Sequence, residues 1–108
     1  MKFEFPAPKI NTVRSLLSQP KKIVITTHQR PDGDAIGSCL ALYHFLISDG
    51  HEISIVAPDD SPEFLRWLPD SSKVISYEKN IALGDNKVKD AEMIFCLDFN
   101  RLERLDKL

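Results

Sequence analysis

The chain has 108 residues, 43% of them apolar, and a formal net charge of −2. That size and composition suit one domain with an ordinary core and exclude a disordered chain. The charge gives no basic field to hold nucleic acid nonspecifically, so such a substrate would have to be gripped through a few residues or bound cations.

Pro6 and Pro8 predict an extended lead-in. Ile10, Val13, Leu16 and Leu17 then recur at helical spacing, which predicts a short amphipathic helix reaching Ser18 and stopped by Gln19-Pro20. Ile23-Val24-Ile25-Thr26-Thr27 is a β-branched run without polar alternation, as in a parallel strand buried on both faces. After the next turn, Ile36, Cys39, Leu40, Tyr43 and Ile47 form a helical stripe that Leu42, Phe45 and Leu46 widen. That helix is expected to be buried over much of its circumference. Asp34 is placed to cap its start, and Gly50 to end it in a left-handed conformation.

Ile53-Ser54-Ile55-Val56 predicts a second strand and Pro58-Asp59-Asp60 a solvated loop. Ser61-Pro62-Glu63 starts a helix whose apolar side is Phe64, Leu65, Trp67 and Leu68, ended by Pro69. In that setting Trp67 reads as a core residue. Val74-Ile75-Ser76-Tyr77 is a third strand, and Glu78 to Lys89, interrupted by Gly84-Asp85-Asn86, reads as loop with one or two helical turns. Met93-Ile94-Phe95-Cys96-Leu97 is a fourth strand, apolar on both faces, and Asn100 can cap a last helical piece with Leu102, Leu105 and Leu108. The alternation predicts one α/β domain over residues 1–108: three layers, a mostly parallel sheet, helices on both faces and right-handed crossovers.

No apolar run approaches the roughly 20 residues of a membrane span, and the N-terminus lacks the apolar stretch of a signal peptide. Cys39 and Cys96 lie in apolar segments without metal-ligand spacing, and read as reduced, buried thiols of a soluble cytoplasmic protein. His44 and His51 read as surface or packing residues.

The chemistry concentrates in His28-Gln29-Arg30-Pro31-Asp32-Gly33-Asp34, between the first strand and the second helix. Ligands of open parallel sheets bind beyond the carboxyl ends of the strands. His28 follows the first strand and Asp98 the fourth, so both belong at that edge. If these strands are neighbours, His28, Asp32, Asp34 and Asp98 converge. Carboxylates packed together repel and raise one another's pKa unless a cation intervenes. Mixed imidazole and carboxylate ligands suit manganese, magnesium or iron. Gly37 and Ser38 in the first helical turn would let a phosphate approach the backbone at the positive end of the helix. Metal plus helix N-terminus suits phosphate ester hydrolysis, where two metals about 3.5–4 Å apart can stabilise attacking and leaving oxygens. Taken singly, Asp34 reads as a helix cap, Asp98 as a loop cap and His28 as a strand-end histidine. A noncatalytic module that binds a phosphorylated ligand near Gly37, or a purely structural role, therefore stands beside the enzyme.

His28-x-x-Pro31-Asp32-x-Asp34-Ala35-x-Gly37-Ser38 resembles the first motif of the DHH phosphoesterase family, and Asp98 with Asn100 and Arg104 resembles its second. The nearest branch is the oligoribonuclease and adenosine-bisphosphate phosphatase type. Cyclic-dinucleotide phosphodiesterases and family II pyrophosphatases are relatives. The resemblance implies a manganese-dependent phosphoesterase of short oligonucleotides or small nucleotides, with magnesium as a substitute. It implies two metals in the complete enzyme: His28 and Asp32 on one, Asp34 on the second, Asp98 bridging, and a water that attacks phosphorus. Asp32, Asp34 and Asp98 are thus the expected catalytic residues, and Gly37 and Ser38 the expected substrate contacts. The chain has no Asp-His-His tripeptide, and no Gly-rich motif of the C-terminal substrate-binding domain. It is therefore expected to be the truncated N-terminal part of a DHH catalytic domain. Such a piece should hold at most one metal, lack activity alone, and self-associate through surface left uncovered.

Overall fold

The structure, a computed structural model, describes residues 7–60 and 66–98. Its elements are α1 (Ala7–Leu16), β1 (Lys22–Thr27), α2 (Gly33–Ile47), β2 (Glu52–Ala57), β3 (Val74–Ser76), α3 (Ile81–Asp90) and β4 (Met93–Leu97), with a 3-10 turn over Ser71–Lys73 before β3. The strands form one parallel sheet in the order β3-β2-β1-β4. Of the helix expected from Ser61 to Leu68, residues 61–65 lie outside the described residues and residues 66–68 form turns rather than helix; the last helical piece beyond Asp98 also lies outside the described residues.

Strand pairing assigns the two faces. Ile23 and Ile25 of β1 lie beside Ile53 and Ile55 of β2 and beside Met93 and Phe95 of β4. This face packs against Ile36, Cys39, Leu40, Tyr43 and Leu46 of α2, and forms the core. Val24 and Val56 point the other way, because strand side chains alternate. There α3 approaches so closely that a Cβ built on Gly84 would stand 2.6 Å from Tyr77 Cδ1 and 3.6 Å from Val56 Cγ1. The expected three layers are therefore present, with helices on both faces of a parallel sheet.

Several local expectations are corrected. Pro8 lies inside α1; its missing N–H costs nothing in a first turn, where N–H groups have no intrahelical partner. The apolar side of α1 is open, with Ile10, Val13 and Leu16 all exposed. Helix α2 is buried on one face only, since Phe45 and Ile47 are exposed. Gly50 does take a positive φ of 87°. Trp67, expected in the core, is 76% exposed. The segment expected to be mainly loop forms the ten-residue α3. Asn80 starts it by accepting the Leu83 N–H, and Gly84 is a site of close packing rather than a break. Tyr77 is held there by donating its hydroxyl to Asp85 at 2.8 Å.

Strand β4 is the other correction. It is a sheet edge among the described residues, and Ile94 and Cys96 on its α3-side face are exposed. Helix α3 must cross from β3 to β4 and covers the middle of the sheet, where Val24 and Val56 are buried. His51, at the start of β2, is buried and accepts the Lys21 N–H at Nδ1. Exposed His44 pairs with Asp70 at 3.2 Å. Among the described residues no helix is long and apolar enough to cross a membrane.

Candidate metal centre

The strand order makes the site. From β1 the chain moves through α2 to β2 and β3 on one side, then returns through α3 to β4 on the other. The connections diverge between β1 and β4, and such a switch point leaves a crevice beyond the carboxyl ends of the two strands. His28 and Asp98 leave β1 and β4 at that crevice. The Thr27 hydroxyl, fully buried, donates to the Leu97 carbonyl at 2.9 Å and ties the two strand ends together.

His28 is 5% exposed. Its Nδ1 stands 2.6 Å from the Gln29 carbonyl oxygen, which can only accept, so Nδ1 carries the proton and donates. Nε2 faces the crevice, 3.3 Å from Asp98 Oδ2 and 3.9 Å from Asp32 Oδ1. One ligand atom from each of these residues lies within 4.8 Å of the other two. A lone pair on Nε2 turned toward two carboxylates is repulsive, and a proton on Nε2 or a shared cation relieves it. The donor set fits a hard divalent cation: bonds of about 2.1 Å put neighbouring ligand atoms about 3 Å apart, close to the His28–Asp98 separation. Metal-ligating histidines commonly donate their second N–H to a carbonyl or carboxylate, and the Nδ1–H of His28 makes a bond of that kind.

The loop between His28 and α2 is held at each step. Arg30 has φ 53° and donates its N–H to Asp59 Oδ1 at 2.7 Å. Pro31 is fully buried. Asp32, not Asp34, is the N-cap of α2: its Oδ1 accepts the Ala35 N–H at 2.9 Å, and its carbonyl accepts from Ile36. The helix starts two residues earlier than a cap at Asp34 implies, which moves the cap to Asp32. Asp98 itself has φ 63°, a left-handed conformation that Asp tolerates better than most residues. Such conformations gather at functional sites.

Four expected ligands become three in one group: His28, Asp32 and Asp98 converge, and Asp34 stands outside it, exposed in the first turn of α2. Ser38 is exposed, and a Cβ built on Gly37 would meet nothing within 4 Å, so this part of the helix surface is open. Cys39 lies beneath, fully buried, with its thiol pushed up to about 12 by burial and then by the charge of Asp98. Two contributors escaped the sequence reading. Thr27 looked like any strand threonine, and Asp59 like half of a solvated acid pair. Asp59 directly follows Pro58 beyond β2, at the same sheet edge, so the rule that found Asp98 would also have found it.

The DHH family, N-terminal domain, matches across residues 22–108. The bifunctional oligoribonuclease and PAP phosphatase NrnA of Thermus thermophilus is 57% identical over 47 residues, which are 44% of this chain and 14% of that protein. An exopolyphosphatase-related protein from Bacteroides fragilis, of known crystal structure, is similar with a TM-score of 0.92 and 38% identity. The match covers 98% of this chain and 31% of that one. This chain therefore spans well under half the length of both relatives.

Proposed function

The chain belongs to the DHH family, and we propose that it is the part of a metal-dependent phosphoesterase that carries the first metal site. The proposed substrates are short oligonucleotides or small nucleotides. His28, Asp32 and Asp98 would hold one divalent cation, and Asp34, one helical residue away from the group, would serve a second. The observation that carries this reading is the convergence of three ligand atoms within 4.8 Å at the sheet's switch point. Imidazole beside carboxylates favours manganese over magnesium.

When bound there, a divalent metal supplies a Lewis acid that polarises phosphoryl oxygens and makes water more acidic. The protein's own groups prepare the place. His28 keeps its ring fixed through Nδ1–H on the Gln29 carbonyl, which leaves Nε2 as the outward donor atom. Asp32 is restrained by capping α2, so little rotamer freedom remains to be lost on binding a cation. Asp98 follows a separate strand, β4, and brings its carboxylate to 3.3 Å from His28 Nε2.

The alternative, a noncatalytic module that holds phosphate on the N-terminus of α2, is less well supported. Asp32 occupies the cap and Asp34 the first turn. Two carboxylates there repel an anion unless a cation first offsets them. The relatives' names, oligoribonuclease and PAP phosphatase for one and exopolyphosphatase-related for the other, agree with chemistry at phosphate.

The test is hydrolysis of a short oligoribonucleotide by the full-length protein with manganese. Turnover should be lost in chelator and fall by at least about 100-fold in Asp98→Ala, as for removal of a group that acts in the reaction. Turnover that persists in either case contradicts the proposal.

A further inference from the structure

We propose that Asp59 is a positioning residue for the metal loop, holding Arg30 in the left-handed conformation that aims Asp32 at His28. The inference rests on the metal reading above and adds to it a residue from the loop after a third strand, β2. Arg30 has φ 53°, a region that L-residues other than Gly, Asn and Asp enter at a cost. Its N–H donates to Asp59 Oδ1 at 2.7 Å, a short bond to a charged acceptor and so among the stronger kinds. Asp59 belongs to the loop after β2, the neighbour of β1 on the side away from β4. The 28–32 loop is thus gripped from the β2 side by Asp59 and faced from the β4 side by Asp98.

The link from Arg30 to Asp32 is short and stiff. Only Pro31 separates them; its ring fixes φ and it is fully buried. A backbone direction set at Arg30 is therefore transmitted to Asp32, whose carboxylate must both cap α2 and reach toward Nε2. The neighbouring Asp60 is turned to a different partner, Lys79. The acid pair is divided, one member toward the site loop and one toward the β3–α3 turn.

Calorimetric Mn2+ affinity in the full chain, with melting in chelator alongside, tests this. Asp59→Ala should weaken Mn2+ binding about 10-fold, as for other residues that orient metal ligands. Asp59→Asn keeps an acceptor oxygen and should recover most of the affinity. Arg30→Gly in the Asp59→Ala background should recover it as well, because glycine takes a positive φ without help. Loss of melting temperature without rescue by either change would mean that Asp59 is merely structural, and overturns the proposal. Unchanged affinity in Asp59→Ala, beside normal binding by the unsubstituted chain, overturns this proposal alone. No saturable binding by the unsubstituted chain overturns the metal reading and the proposal with it.

Discussion

Asp32 uses one oxygen for two purposes, capping α2 through the Ala35 N–H and lying 3.9 Å from His28 Nε2. That double use explains what could be read in the turn beforehand. A proline, a glycine and two acids next to a histidine announce a ligand loop, but not which acid caps the helix and which joins the histidine. Asp59 was illegible for a related reason: an acid pair in a loop is usually solvated, and its backbone partner is 29 residues away. Cys39 was legible, because a thiol within an apolar helical stripe is buried. Its folded value of about 12 lies above its ordinary 9.0, so burial of the neutral thiol stabilises the fold fully below pH 9. That contribution is lost as pH climbs from 9 toward 12. At pH 8 a thiol reagent should modify Cys96, which is exposed, and reach Cys39 only on unfolding. Equal rates at both cysteines in the native chain would contradict the packing described.

Helix α3 shows how an element can be hidden. Gly84-Asp85-Asn86 has the composition of a turn, and helix propensity opposes glycine by about 1 kcal/mol relative to alanine. Here the missing side chain is what lets α3 lie against Tyr77, whose ring is held through its hydroxyl on Asp85. Gly84→Ala should therefore destabilise the protein. Forcing a methyl into well-packed surroundings costs about 1–3 kcal/mol, which outweighs the propensity gain while the hydroxyl bond to Asp85 holds the ring in place. Urea denaturation would measure it, and a raised midpoint would show that the ring moves freely. Strand β1 was legible because burial on both faces leaves an unbroken β-branched run. Strand β4 is also apolar throughout but lies at the sheet edge among the described residues, and only pairing reveals which of its faces is covered.

The described residues form a parallel sheet whose switch point gathers His28, Asp32 and Asp98 and whose flanks are unevenly covered. The class of fold followed from strand and helix alternation, and the convergence of His28 and Asp98 at one sheet edge from their places after β1 and β4. Uncovered apolar surface was expected, but not its place: Ile10 and Val13 on α1 and Ile94 on β4 have core-like composition yet are exposed. The central claim is that this edge binds a divalent metal through His28, Asp32 and Asp98. Titration of the chain with Mn2+, followed by electron paramagnetic resonance with detection of nitrogen coupling, tests it most directly. The account predicts saturable binding with one histidine nitrogen coupled to manganese, lost in His28→Gln and weakened at least about 10-fold in Asp98→Asn while the fold is kept. Binding that lacks nitrogen coupling, or that is unaffected by both substitutions, would contradict it.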